Sequence, residues 1–222
     1  MAKAYRFRRE RLEAGMWAHV RSNWWLGRGI RYALDKWEAR VCARLGVPAA
    51  RVWGNHDGLI MTPLVPHIGP DYGIGEALAQ GEVISPLEDY ERDMAKGELE
   101  VRIYKPLLRT PNEDVRRVMW QAAVNWETDV SSHKYDYWAY VGLITRCFFG
   151  IDVKTSDRTK FWCTEGCQDS YDPSPMREPA YDILQDDTPT PMHVEQVAGL
   201  IPMPAGRRIT LQDVTADVIE VV

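Results

Sequence analysis

What the chain lacks narrows its class before any motif is considered. Its four cysteines, at positions 42, 147, 163 and 167, show no paired CxxC spacing, so neither a disulfide framework nor a zinc ribbon is supported. Reduced thiols in a cytoplasmic setting are the expectation. Long hydrophobic runs are missing: the longest, Tyr137 to Ile151, contains Thr145 and Arg146. It falls short of the roughly twenty residues of a membrane span and reads as a buried helix. Glu10, Glu13, His19 and Arg21 interrupt any apolar stretch that a cleaved leader would need. Neither sign of charge dominates, and a formal net charge of -5 gives no general electrostatic case for nucleic acid. No internal repeat or low-complexity tract is visible.

What is there suits one globular unit. A chain of 222 residues can bury a substantial core, and its apolar residues are evenly spread. The expected organisation is a basic N-terminal arm over 1–14 and a single domain over 15–222 with a Pro-rich C-terminal region. In the arm, Lys3, Arg6, Arg8, Arg9 and Arg11 oppose Glu10 and Glu13, five minus two, a local +3 that reads as a solvated face.

Periodicity places a long helix from about Asn23 to Leu45, with Trp25, Ile30, Ala33, Trp37 and Val41 on helical spacing and Gly46 as its stop. Val52 to Met61 reads as a strand, and Glu76 to Ile84 as short strands around Gly81. Pro86 opens a helix through Met94, Leu99 to Tyr104 alternates as a strand, and Pro111 to Trp126 forms a second long amphipathic helix. The tail offers edge strands at Arg208 to Leu211 and Val218 to Val222. The pattern is α+β.

Two segments carry chemistry. Phe161-Trp162-Cys163-Thr164-Glu165 puts a thiol at the mouth of a polar first helical turn, where backbone amides favour an anion. Asn55-His56-Asp57-Gly58-Leu59-Ile60 puts an imidazole at the start of an apolar strand. A His that takes the thiol proton and a carboxylate behind its second ring nitrogen make a nucleophilic acyl-transfer site. Each residue also has an ordinary structural reading: Cys163 as a small buried hydrophobe, His56 as a satisfied core histidine, Glu76 as an exposed strand end. Cys167, one helical turn on, reads as a packed thiol. His19, His67, His133 and His193 have no comparable context. Most tryptophans, Trp25, Trp37, Trp120 and Trp126 among them, read as core, while Trp53 and Trp162 flank His56 and Cys163 and are candidate walls of a substrate cleft.

In order along the chain, these motifs resemble the circularly permuted papain-like enzymes of the NlpC/P60 superfamily, the YiiX-like branch. Asn55 to Ile60 is similar to the branch's histidine strand, Gly75-Glu76-Ala77 with Gly81-Glu82-Val83 to its carboxylate strand pair, and Trp162-Cys163-Thr164-Glu165 to its late nucleophile motif. Trp25-Leu26-Gly27-Arg28-Gly29-Ile30-Arg31 and Tyr135-Asp136 are similar to its first helix and Tyr-Asp element, so the likeness spans about residues 15 to 200. Asp57 stands where an aliphatic residue is common. The resemblance implies a small antiparallel sheet or half-barrel packed against helices. It implies a cysteine hydrolase with Cys163, His56 and Glu76 as catalytic residues, acting on a peptide, a peptidoglycan peptide or an acyl lipid, with no cofactor and no metal. The alternative is a binding or structural module that keeps this fold without catalysis.

Overall fold

A computed structural model of the chain describes residues 4–65, 71–78, 81–108, 112–128, 134–135, 145, 149, 160–161, 163–171, 183–185 and 190–222. Apart from residues 145 and 149, the expected helix over Tyr137 to Ile151 lies outside the described residues, as do most of the Pro-rich stretch and Trp162. A six-stranded antiparallel sheet dominates the rest, so the chain is mixed α+β. Its strands in chain order are β2 (Trp17–Ser22), β3 (His56–Met61), β4 (Gly73–Leu78), β5 (Gly81–Pro86), β6 (Leu99–Pro106) and β9 (Leu211–Asp213). They lie in the spatial order β5-β4-β3-β2-β6-β9.

Helix α1 (Trp25–Leu45) connects β2 to β3 and stops at Gly46, whose φ of 69° is the left-handed conformation that glycine adopts without a Cβ penalty. Asp35 then fastens the return loop by accepting from the Val52 amide at 2.7 Å. Helix α2 (Leu87–Lys96) follows β5 directly, as Pro86 predicts. Helix α3 (Asn112–Thr128) and the short helix α4 (Cys163–Tyr171) cover one face of the sheet. Across that face Trp17, Leu59 and Gly75 stand in one row. Tyr171 stacks on Trp17 with ring centroids 6.3 Å apart. A Cβ on Gly75 would lie 2.4 Å from Trp126 Nε1, so the bare glycine is what lets α3 approach. Trp17, Leu59, Met119 and Trp126 are fully buried there, and each such side chain contributes about 1.5–3 kcal/mol of transfer free energy. Two short parallel strands, β7 (Lys134–Tyr135) and β8 (Lys160–Phe161), lead into α4.

Two expectations are corrected. In place of a solvated arm, β1 (Tyr5–Phe7) pairs with β10 (Ile219–Val221), Arg8 bridges to Glu220 at 3.2 Å, and Arg9 contacts Glu88 and Glu91. Phe7, only 1% exposed, supplies the apolar anchor that the charge count concealed. Trp25 and Trp120 are exposed rather than core; Trp126 alone of the four is fully buried.

Candidate active site

Helix α4 begins where β3 begins, and the two termini meet residue by residue. His56 is the first residue of β3, and its Nε2 lies 2.6 Å from Glu76 Oε2 on the neighbouring strand. The β3–β4 register sets Gly58 opposite Glu76, so His56 and Glu76 share a face of the sheet and meet on the diagonal. From α2, Tyr90 donates its hydroxyl to the same carboxylate oxygen at 2.7 Å. Cys163, at the start of α4, lies near enough to the His56 ring to raise its pKa. With Nε2 engaged by Glu76, Nδ1 is the nitrogen left for the sulfur.

Burial alone would lower the pKa of His56, but Cys163 and then Glu76 outweigh it and hold the ring well above the usual histidine value. Burial acts to raise Glu76, and its bonds to His56, Ser85 and Tyr90 overcome this and keep it below the ordinary carboxylate range. Tyr90 is pushed well above the usual phenol value by burial and by Glu76, so its hydroxyl keeps the proton that it donates. The His56 side chain retains 16% exposure, whereas Glu76 retains 5%: the ring has an accessible edge and its orienting carboxylate does not.

A second buried network stands behind the first, and sequence reasoning missed it. The next residue of β3, Asp57, accepts from Thr164 Oγ1 at 2.6 Å, from Trp17 Nε1 at 3.0 Å and from His19 Nδ1 at 2.7 Å. His19 Nε2 reaches Glu195 Oε1 at 3.3 Å, from helix α5 (Pro191–Val197). That same oxygen accepts the amides of Trp53 and Gly54 at 2.7 and 2.8 Å. His19 and Asp57 have no exposed surface. Burial works against the charged ring of His19, but the two carboxylates overcome it, Asp57 more strongly, and raise it to about 9. Gly54 is required here: a Cβ would lie 2.1 Å from His19 Nε2.

The structure therefore brings Cys163, His56 and Glu76 together and pins both sides of the group. Thr164 ties the start of α4 to β3, and Glu195 ties the 53–54 loop that leads into His56. Asp57, a departure from the resembled pattern, is the junction. Trp53 lies elsewhere: it stacks under the Arg102 guanidinium at 4.2 Å and lines a cavity with β6 and the C-terminal segment that none of the three residues enters. Trp162 lies outside the described residues. Cys167 is fully buried. Among the described residues no group of three or more His, Cys, Asp or Glu is placed to hold a metal ion, and no helix is long and apolar enough to cross a membrane. No family model matches the chain, and no curated protein matches it significantly.

Proposed function

We propose that the chain is a cysteine-dependent hydrolase of permuted papain-like architecture, acting by acyl transfer at an amide or ester carbonyl. The observation that carries this reading is the His56 ring bonded to the buried Glu76 carboxylate at 2.6 Å, with Cys163 near enough to raise the ring's pKa. Cys163 passes its proton to His56 Nδ1 and the sulfur attacks the carbonyl carbon. The first-turn amides of α4 and its dipole favour the oxyanion so formed. As the C–N or C–O bond breaks, the imidazolium returns the proton to the leaving amine or alcohol, leaving an acyl-thioester. Water, deprotonated by His56, then attacks the thioester, releasing the carboxylic acid and restoring the thiol. Glu76 fixes the ring tautomer and stabilises its charged form throughout. The substrate classes that suit this chemistry are a peptide, a peptidoglycan peptide or an acyl lipid.

The test is selective alkylation. At pH 6 iodoacetamide is expected to label Cys163 well ahead of Cys42 and Cys167, and His56→Ala to slow that labelling by about 10²-fold or more. A p-nitrophenyl ester is expected to leave an acyl group on the peptide carrying Cys163 in the wild type and none in Cys163→Ala. Equal, slow labelling of every cysteine with or without His56 would sink the proposal.

A further inference from the structure

Helix α1 turns a face to solvent that carries no acidic residue. Trp25 is 71% exposed, Leu26 42% and Tyr32 55%, and Trp24, just before the helix, is 67% exposed. Among the described side chains, the other exposed positions of the helix are the bases Arg28, Lys36, Arg40 and Arg44 and the small residues Gly29, Ala39 and Ala43. Of the two acids of the helix, half-buried Asp35 accepts from the Val52 amide at 2.7 Å, and buried Glu38 accepts from the Cys42 thiol at 3.0 Å. Near the tryptophans Arg21, Arg28 and Arg31 lie close to one another, with Glu100 paired to Arg21 at 3.6 Å. There Arg31 is lowered from the usual guanidinium value, first by burial and then by the charges of Arg21 and Arg28. This face is basic on a chain whose formal net charge is -5, so its charge is local and not a general background.

We propose that this face docks on an anionic lipid surface, with Trp24, Trp25 and Leu26 entering the headgroup layer and Arg28 and Lys36 meeting lipid phosphates. Exposed indoles beside arginine and lysine are the composition of helices that lie in a membrane interface. A single-stranded nucleic acid fits less well. The Trp24 and Trp25 rings are tilted 49° to each other, with centroids 6.0 Å apart, and offer no pair of parallel faces on which successive bases stack. The docking end is fixed to the candidate active site. Asn55 Oδ1 accepts from the Ser22 amide at 2.9 Å and from Arg31 Nη1 at 2.8 Å, and His56 follows it in sequence. Binding itself does not depend on the chemistry of Cys163.

The experiment is co-sedimentation of the full chain with vesicles of phosphatidylcholine alone and of phosphatidylcholine containing about one-third phosphatidylglycerol, at low and high salt. Partitioning is expected to be about tenfold stronger on the anionic vesicles, to weaken with salt, and to shift tryptophan fluorescence to shorter wavelength. Trp24→Ser/Trp25→Ser and, separately, Arg28→Glu/Lys36→Glu are each expected to lower it about tenfold or more, with circular dichroism unchanged because only exposed side chains are altered. Cys163→Ala is expected to bind like the wild type, which separates this surface from the proposed hydrolase. The proposal is overturned by equal binding to both vesicles, by binding to neither, or by indifference to both double substitutions. It is also overturned by release from vesicles on adding a single-stranded oligonucleotide at matched phosphate concentration.

Discussion

At the scale of single residues, the informative group is Glu76, a carboxylate almost without solvent that nevertheless stays charged. Its charge is sustained by donors from three elements: His56 on β3, Ser85 on β5 and Tyr90 on α2. Replacing the carboxylate by an amide of the same shape removes the charge and leaves the packing. Glu76→Gln is therefore expected to slow alkylation of Cys163 at pH 6 by about tenfold or more, while the rate at pH 10 stays near that of the wild type. A variant that loses both rates equally has lost its fold, and the orienting role would not be supported. Tyr90→Phe removes one neutral donor and is expected to cost about 1 kcal/mol of stability, read by urea unfolding.

At the scale of elements, the first two residues of β3 and of α4 work as a clasp. Asp57 is its pin, and Asp57→Ala leaves a buried charged imidazole facing one remaining carboxylate. Removing one partner from such a buried pair costs about 3–5 kcal/mol, an amount that thermal unfolding resolves easily. The charge on His19 also sets a pH dependence. Its folded value of about 9 lies above the roughly 6.5 of an unfolded histidine, so its contribution is fully present below pH 6.5 and is lost as pH rises towards 9. The displacement amounts to about 3 kcal/mol. Stability is thus expected to fall from pH 6.5 to 9, with the His19 ring resonance titrating near the upper end; a ring that titrates below 6.5 would refute the ion-pair assignment. This clasp was illegible in the sequence for a concrete reason. His19 finds Asp57 38 positions away through the β2–β3 register and Glu195 176 positions away through the packing of α5, neither of which is local in sequence. His56 and Cys163, by contrast, stand within six-residue motifs, and the places of α1, α2 and β6, though not each of their end residues, follow from local periodicity, proline and glycine. Helical spacing groups Trp25 with Trp37 on a stripe, but it cannot tell which turns of the helix are covered by other elements, and Trp25 stands in solvent at 71% exposure.

At the scale of the whole molecule, the two ends of the chain close on each other. The pairing of β1 with β10 continues in main-chain bonds from Arg8 N to Val218 O and from Val222 N to Ala4 O, each 2.8 Å. Phe7 inserts beneath it. Phe7→Ala is expected to destabilise the protein by about 3–5 kcal/mol, whereas Arg8→Ala, at a half-exposed ion pair, is expected to cost about 1 kcal/mol or less. Comparable losses for both would mean that charge and not apolar burial holds the segment.

That closure separates the order of the chain from the order of the site. Tyr5 stands opposite Val221, so a short linker can join the ends without moving any strand. Gly97 and Glu98, both exposed, form the turn between α2 and β6, where new ends leave the ladder of β2, β3, β4 and β5 intact. A chain rewired in this way runs from β6 through α4 and only afterwards reaches β3 and β4. Cys163 then precedes His56 and Glu76 in sequence, while the strand pairs and the Thr164–Asp57 clasp stay where they are. What such a chain would keep is the contact of α4 with β3, joined by the Thr164–Asp57 hydrogen bond.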